Sequence, residues 1–288
     1  MQFVNIIFVL ACLTAAFAEI LSSAKKPVAP AVQNGWKRVE KHIALPEVWG
    51  RMVNEGITHD DENWIFSNKH ILYKATKSPI KQLMKNENAI PQELKDLKFD
   101  HIGDIDCVAA DGVIYGGFEQ GSGTPGILAA WNSTDLTVIR YKDIAQNGAP
   151  WVAADPMTRL LYSTSWNDQN RINVYDMDTF EQRLDLTVVP ASSDPAALFP
   201  REIQGGTFNP ADPGFLYISI NSAESVFKID VKTGVCTFVL SDKVYKHHEA
   251  EMEGITFWDL SDIGYGQMHM FGNFEEIRQK GIHSYAQA

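Results

Sequence analysis

Apolar and polar residues alternate along short runs over most of the chain, which is the pattern of half-buried β-strands. The runs "VFKID" and "INVYD" place an apolar residue at every second position. Short turns rich in Asp, Asn, Pro and Gly separate the runs, among them "ADG", "NPADPG" and "DVKTG". The pattern predicts an all-β protein.

Five segments share one order of elements: a Gly- or Pro-marked opening, a polar turn, an aromatic-rich second strand, and two further strands. They begin at Glu55, Ile102, Ala149, Gln204 and Glu253. Four strands repeated every 40 to 50 residues, roughly, are typical of propeller blades. We therefore predict a single β-propeller of five four-stranded blades. Six blades is the alternative count if an insertion hides a degenerate blade, and a two-sheet sandwich is the alternative fold.

The two ends of the repeat region complement each other. The fifth segment is one strand short at Ala288, and a spare strand-like stretch, "GWKRVEKHIAL", precedes the first repeat. Pairing the two removes an exposed sheet edge. We expect the N-terminal strand to complete the last blade. Between blades, "MKNENAIPQELKDLKFD" predicts a loop or short helix, and "VVPASSDPAALFPRE" an irregular insertion.

Residues 1–18 have an apolar core and end in Ala16-Phe17-Ala18, the small-x-small pattern of a signal-peptidase site. The apolar run is shorter than the roughly 20 residues that a membrane span needs. We expect a secreted, extracellular protein, with a signal peptide at 1–18, one propeller domain at 19–288 and no membrane span. "NST" at Asn132 is a candidate N-glycosylation site.

The formal net charge of −11 disfavours binding to nucleic acid, which needs positive charge to neutralise phosphates. Cys107 and Cys236 remain after signal removal. On the propeller model they lie in an inner strand of blade two and an outer strand of blade four, too far apart to bond. Two free thiols are therefore expected.

The phrase Glu-Gly-Ile-Thr occurs twice, at Glu55 and at Glu253, each time at a blade opening. In a closed ring these glutamates are neighbours, with Gln204 in the next blade and Asp104 reaching in from blade two. Oxygen ligands of this kind select Ca²⁺ or Mg²⁺. Glu55, Asp104, Gln204 and Glu253 are thus the candidate cation ligands. The alternative is that Glu-Gly recurs as a structural element of each blade start.

Several histidines are further candidates. His101 in "HIGDID" lies at the mouth of blade two, where it could act as general base for a metal-bound water. "HHEAE" at 247–251 and His59 are weaker candidates because both lie in charged loops. Aromatic residues recur at one blade position and predict an interblade core: Trp64, Tyr115, Tyr162, Tyr217 and Phe271.

The secreted propeller repeats with acidic strand starts resemble the calcium-dependent propeller hydrolases of the gluconolactonase and paraoxonase group. The resemblance rests on "EG" at Glu55 and Glu253, which is similar in placement to the family's channel glutamate. It departs from that group in blade count, since the family has six blades, and in lacking secure counterparts of the family's Asn and Asp ligands.

The resemblance implies a Ca²⁺-dependent hydrolase of lactones or esters, with a small molecule in the channel. The alternative is a non-catalytic extracellular module that binds a ligand, protein or glycan on its loop face and holds at most a structural calcium. We expect a monomer in either case.

Overall fold

The structure is a computed structural model that describes residues 32–39, 43–45, 55–120, 124–166, 170–192, 202–221, 224–241, 251–274 and 279–288. The predicted signal peptide lies outside these residues. In the described part of the chain, no helix is both long and apolar enough to cross a bilayer. The one α-helix described, α1, spans Gln92–Asp96 between blades one and two, where the sequence predicted a loop or short helix.

The described residues form five small sheets, which confirms the predicted five-bladed β-propeller. Three short strands precede the first blade: β1 (Val32–Gln33), β2 (Trp36–Arg38) and β3 (Ile43–Ala44). Blade one contains β4 (Gly56–His59), β5 (Asn63–Asn68), β6 (Ile71–Thr76) and β7 (Gln82–Asn86). Blade two contains β8 (His101–Ile102), β9 (Asp106–Val108), β10 (Val113–Glu119), β11 (Pro125–Asn132) and β12 (Val138–Asn147).

The remaining blades are also built by antiparallel pairing, apart from one parallel pair between the first and last strands of blade four. Blade three contains β13 (Ala153–Asp155), β14 (Leu160–Ser163) and β15 (Asn173–Asp176). Blade four contains β16 (Ala191–Ser192), β17 (Ile203–Phe208), β18 (Phe215–Ile220), β19 (Ser225–Asp230) and β20 (Val235–Ser241). Blade five contains β21 (Glu251–Phe257), β22 (Met268–Phe274) and β23 (Gln279–Gln287).

Blade three departs from the four-strand expectation. Its outer position is held by single bridges, from Gln182 to Tyr175 and from Val188 to Ile172. A 3₁₀ turn at Leu184–Leu186 separates the two bridges. That turn breaks the ladder, so no continuous fourth strand forms there among the described residues.

The N-terminal segment completes blade five, as predicted. Strand β2 pairs antiparallel with β23, with Trp36 opposite Gln287, and β3 pairs with β23 further along. The N–H of Ala288 donates to the carbonyl of Gly35 over 2.8 Å. The outer edge of β23 is thereby covered by β2 and β3.

The inner strands contact one another in the cyclic order β4, β9, β13, β17, β21 and back to β4. A parallel bridge between Asp104 and Trp151 shows that neighbouring inner strands run in the same direction. They therefore all begin on one face of the ring, which we call the mouth face, and end on the opposite face.

An apolar cluster fills each of the five contacts between neighbouring blades, within the described residues. The predicted aromatic stripe belongs to these clusters, and its members are at most 3% exposed: Trp64, Tyr115, Tyr162, Tyr217 and Phe271. Cys107 and Cys236 are free, as predicted, on β9 and β20.

Candidate functional site

Asp104 lies at the axis of the ring and is fully buried. The N–H of Ile57 in blade one donates to its Oδ1 over 3.0 Å, and the N–H of Gly206 in blade four donates to its Oδ2 over 3.2 Å. Its own N–H donates to the carbonyl of Pro150 at the start of blade three over 3.0 Å. One residue of blade two therefore binds three other blades.

Three glycines make room for this carboxylate. A Cβ added at Gly56, Gly205 or Gly254 would lie 2.7, 2.5 or 2.6 Å from an oxygen of Asp104. Such contacts are too short for any side chain. The repeated Glu-Gly-Ile-Thr phrase thus has a structural use: its glycine admits Asp104, and the N–H of the next residue faces the carboxylate. Ile255 plays this part in blade five.

Asp106 lies one step deeper, also at the axis. Its oxygens accept hydrogen bonds from the N–H of Ala154 at 3.0 Å, the N–H of Cys107 at 3.0 Å and the hydroxyl of Thr207 at 3.4 Å. Burial raises the pKa of Asp106 to about 7, against the lowering effect of these donors. Burial likewise raises the pKa of Asp104 well above its usual value. Both carboxylates are thus buried at the axis of the ring.

His101 and Glu55 form an ion pair at the mouth face, with Nε2 of His101 3.0 Å from Oε2 of Glu55. The His101 side chain is 30% exposed and that of Glu55 11%. Burial works to lower the pKa of His101, but the hydrogen bond to Glu55 and the charges of Glu55 and Glu119 outweigh it, so the pKa is raised. His101 is thus placed on the rim, where the sequence predicted it.

Glu119 ends β10 directly opposite His101 and is only 5% exposed. The indole N–H of Trp166 donates to its Oε2 over 2.7 Å. Its Oε1 is buried without a hydrogen-bond partner among the described residues, in a space that a Cβ at Gly148 would fill. Burial raises the pKa of Glu119 above its usual value.

The buried position of Glu119 beside His101 was not predicted from the sequence. The available signal was a carboxylate closing an otherwise apolar, aromatic run, "VIYGGFE". Because a carboxylate rarely ends a buried strand without a partner or a task, such a position merits inspection.

The other two predicted cation ligands also lie at strand starts on the mouth face. Glu253 is 7% exposed and Gln204 is half-buried; their strands, β21 and β17, are neighbours in the ring. Within the described ranges, no three acidic, histidine or cysteine side chains come together as a metal-binding group. The cation site therefore stays a prediction.

His59 lies at the far end of β4 from Glu55, on the face opposite the mouth. Its ring stacks on Trp258 with centroids 4.5 Å apart, and its Nε2 is 2.7 Å from the carbonyl oxygen of Phe257. Burial lowers its pKa. The histidine serves packing at this position. Residues 247–250 of "HHEAE" lie outside the described residues.

Asn132 ends β11 and begins a tight turn, where its Oδ1 accepts the N–H of Thr134 over 2.7 Å. The half-buried asparagine lies on the outer part of blade two. Glycosylation there stays a prediction.

Comparisons with known proteins bear on the fold. No protein-family model matches the chain, and no curated protein matches it. The crystal structure of Myxococcus xanthus glutaminyl cyclase is similar, with a TM-score of 0.61 and 13% identity, covering 87% of this chain and 98% of that one. A nidogen/laminin complex gives a TM-score of 0.49 and 12% identity, over 81% and 83% of the two chains. The glutaminyl cyclase likeness shows a shared β-propeller fold, and no family model or curated protein supports the gluconolactonase and paraoxonase group.

Proposed function

We propose that the chain is a hydrolase of lactones or esters that uses His101 as a general base at the mouth of the channel. The observation that carries the proposal is the His101–Glu55 pair: a carboxylate 3.0 Å from one ring nitrogen of a histidine that is partly open to solvent. A carboxylate in this position orients the imidazole and stabilises its protonated form.

The reaction follows from this arrangement. With Nε2–H donating to Glu55, Nδ1 of His101 is the nitrogen that accepts a proton. It takes one from a water molecule as the water oxygen bonds to the substrate's carbonyl carbon. The tetrahedral intermediate then breaks its bond to the leaving oxygen, and the imidazolium returns the proton to that oxygen. An ester becomes an acid and an alcohol, a lactone becomes a single hydroxy acid, and His101 is regenerated.

Glu119 supports the same step from the other side of His101. Its charge acts with that of Glu55 to favour the imidazolium, the form that exists while the intermediate is present. Trp166 fixes one oxygen of Glu119. Glu55 and Glu119 are positioning residues in this proposal, and His101 is the catalytic residue.

The test is turnover on a panel of small lactones and aryl esters. His101→Gln should abolish activity, whereas His70→Gln, at an exposed histidine in the β5–β6 turn, should leave it unchanged. A base must be deprotonated to act, so activity should fall as pH drops through the raised pKa of His101. Glu55→Gln removes the group that raises this pKa and should move that fall to lower pH.

A peptide with an N-terminal glutamine belongs in the same panel, because the similar solved structure is named a glutaminyl cyclase. Turnover of that peptide without turnover of any lactone or ester would contradict the proposal. No turnover at all would leave the non-catalytic extracellular binding module as the function.

We further propose that oxygen ligands at the mouth face would hold a Ca²⁺ ion, which would supply Lewis-acid polarisation of a substrate carbonyl there. Glu55, Gln204 and Glu253 lie near the starts of three adjacent inner strands and offer oxygen ligands there. The oxygens of Asp104, in contrast, already accept backbone N–H groups. Binding to the folded state alone should raise the melting temperature by a few degrees at about a hundredfold excess over Kd.

The cation test compares melting and turnover with Ca²⁺ and with a chelator. Glu253→Gln should remove the Ca²⁺ response, and in the presence of the chelator its pH profile should match that of the wild type, because Glu55 and His101 are unchanged. Turnover that is unchanged by the chelator would exclude Ca²⁺ from the mechanism and leave His101 acting alone.

The expected secretion of the protein is also part of this proposal. It is tested by sequencing the N-terminus of the exported chain.

A further inference from the structure

The chain reverses direction where α1 ends, between blades one and two. The N–H of Lys98 donates to the carbonyl of Lys95 over 2.9 Å. The N–H of Phe99 donates to the carbonyl of Leu94 over 3.0 Å. Together these bonds form a Schellman motif, and Leu94 and Phe99 supply its apolar contact within one core cluster. The turn is thereby anchored to the core, with Lys95 half-buried and Lys98 exposed.

Lys98 occupies the position of this motif that usually carries glycine. Its φ is +75°, in the left-handed region, which is unfavourable for any residue with a Cβ. Glycine would therefore make the same turn with less strain. Backbone strain of this kind is concentrated where a side chain serves binding or catalysis. The side chain of Lys98 is thus a candidate for such a role.

A cavity of about 340 Å³ opens to solvent beside this turn. Its volume falls in the range of small-molecule sites, roughly 300 to 1,000 Å³. The described residues of its lining include Lys95, Lys98, Phe99 and Asp100. The cavity therefore offers two cations, one carboxylate and an aromatic surface to a ligand.

The two lysines of the lining form no salt bridge with any described residue. Nζ of Lys95 donates to Oδ1 of Asn88 over 3.2 Å, and a neutral amide orients an ammonium group without cancelling its charge. Residues 55–120, which include α1 and the strands before and after it, are all described. In a chain of net charge −11, two such lysines at one cavity favour an anionic ligand.

We propose that this cavity binds a phosphate or sulfate ester of a small hydroxylated molecule such as a sugar. Lys95 and Lys98 bind the oxyanion, since lysine is a common ligand of phosphate groups. Asp100 would repel a bare anion, so the ligand also needs hydroxyl groups that donate to this carboxylate. Phe99 contacts the apolar face of the ligand. The inference does not depend on the proposed hydrolase activity, because the residues of that site are not among the described lining residues.

The probes are glucose 6-phosphate and glucose 6-sulfate, and their binding to the full chain is measured by titration calorimetry. Glucose is the control without an oxyanion, and inorganic phosphate is the control without hydroxyl-bearing carbon. At least one ester should bind about tenfold or more tightly than both controls. The ester that binds more tightly identifies the oxyanion. The proposal is overturned if neither ester binds, or if either control binds as tightly as the better ester.

Lys98→Gly separates a binding role of this lysine from a structural one. Glycine suits the left-handed backbone at this position, so the melting temperature should not fall. Ester binding should weaken about tenfold or more, because a charged contact is lost. Lys95→Gln should weaken binding to a similar extent.

Lys81→Gln is the matched control. Lys81 is an exposed lysine just before β7, on the face opposite the mouth, and its loss should leave the affinity within about twofold. A destabilised Lys98→Gly protein would overturn the proposal. So would a Lys98→Gly or Lys95→Gln protein that binds the ester as tightly as the Lys81 variant.

Discussion

The backbone N–H of Ile57 donates to Oδ1 of Asp104 over 3.0 Å, joining the inner strands of blades one and two at the axis of the ring. Gly206 makes the equivalent bond from blade four to the other oxygen. The centre of this propeller is thus held by one buried carboxylate and the main chain around it. The consequences can be measured.

Asp104→Asn should destabilise the protein strongly, by about 3 kcal/mol or more. Both carboxyl oxygens accept backbone N–H groups, and the amide would turn one acceptor into a donor that faces another donor. Urea unfolding measures the loss. Asp143→Asn, on the exposed side of β12, should change stability by less than about 0.5 kcal/mol. If the two substitutions lower the free energy of unfolding equally, Asp104 does not stabilise the centre of the ring.

Gly254→Ala tests the space reserved for that carboxylate. The new Cβ would lie 2.6 Å from Oδ1 of Asp104 and 2.9 Å from the nitrogen of Ile57, so we expect a loss of about 1 to 3 kcal/mol from overpacking. Ile255→Val, next to it in β21, removes one methyl group and should cost no more than about 1.5 kcal/mol. If Gly254→Ala leaves the stability unchanged, the glycine of the repeated Glu-Gly-Ile-Thr phrase does not make room for Asp104.

The stability of the fold should depend on the pH through Asp106. Its pKa is raised to about 7 in the folded protein, above the value near 4 of an unfolded aspartate. The folded state therefore binds more protons between these values, and the contribution of Asp106 to stability is present at low pH and lost as the pH rises from about 4 to 7. Chemical unfolding at several pH values measures the slope.

Asp106→Asn should flatten that slope whatever it does to the absolute stability. His269 titrates in the opposite sense, because burial lowers its pKa to about 4 and its contribution is lost as the pH falls. Because His269 is present in both proteins, the difference between the slopes of wild type and variant reports Asp106. Parallel slopes in the two proteins would contradict the assignment to Asp106.

Closure of the ring through the N-terminal segment predicts that Trp36→Ala costs about 3 to 5 kcal/mol. Trp36 is 6% exposed, and it packs on Phe257 with ring centroids 6.0 Å apart. Lys37→Ala, at the next and exposed position, is the control and should be neutral. Thermal melting separates them. A Trp36 variant as stable as the Lys37 variant would mean that β2 adds little to blade five.

Much of the fold could be predicted from the sequence because a blade is a local unit. Turn residues and the alternation of apolar and polar residues mark its strands. The strand that the last repeat lacked was correctly predicted to come from the N-terminal segment around Trp36. The outer edge of blade three could not be predicted. A 3₁₀ turn at Leu184–Leu186 takes the place of the fourth strand there, and no strand-breaking residue marks this turn in the sequence.

Only part of the candidate site could be predicted from the sequence. His101 and Glu55 were both singled out, but their pairing depends on two blades meeting at the rim. Asp104 was predicted as a cation ligand, whereas its oxygens accept backbone N–H groups. Glycine at the same place in several blade openings was visible in the sequence. Which side chain fills the space so created depends on how five strands pack around one axis.

The pairing of β2 with β23 also sets the order in which the molecule can be finished. During synthesis, the residues of β2 leave the ribosome long before those of β23, so β2 cannot join blade five until β23 follows, some 240 positions later. Until then four blades can assemble while the ring stays open, with the strand edge of blade five uncovered. The ring can therefore close only after β23 has been made, and a transcript cut short before β23 encodes a propeller that cannot close.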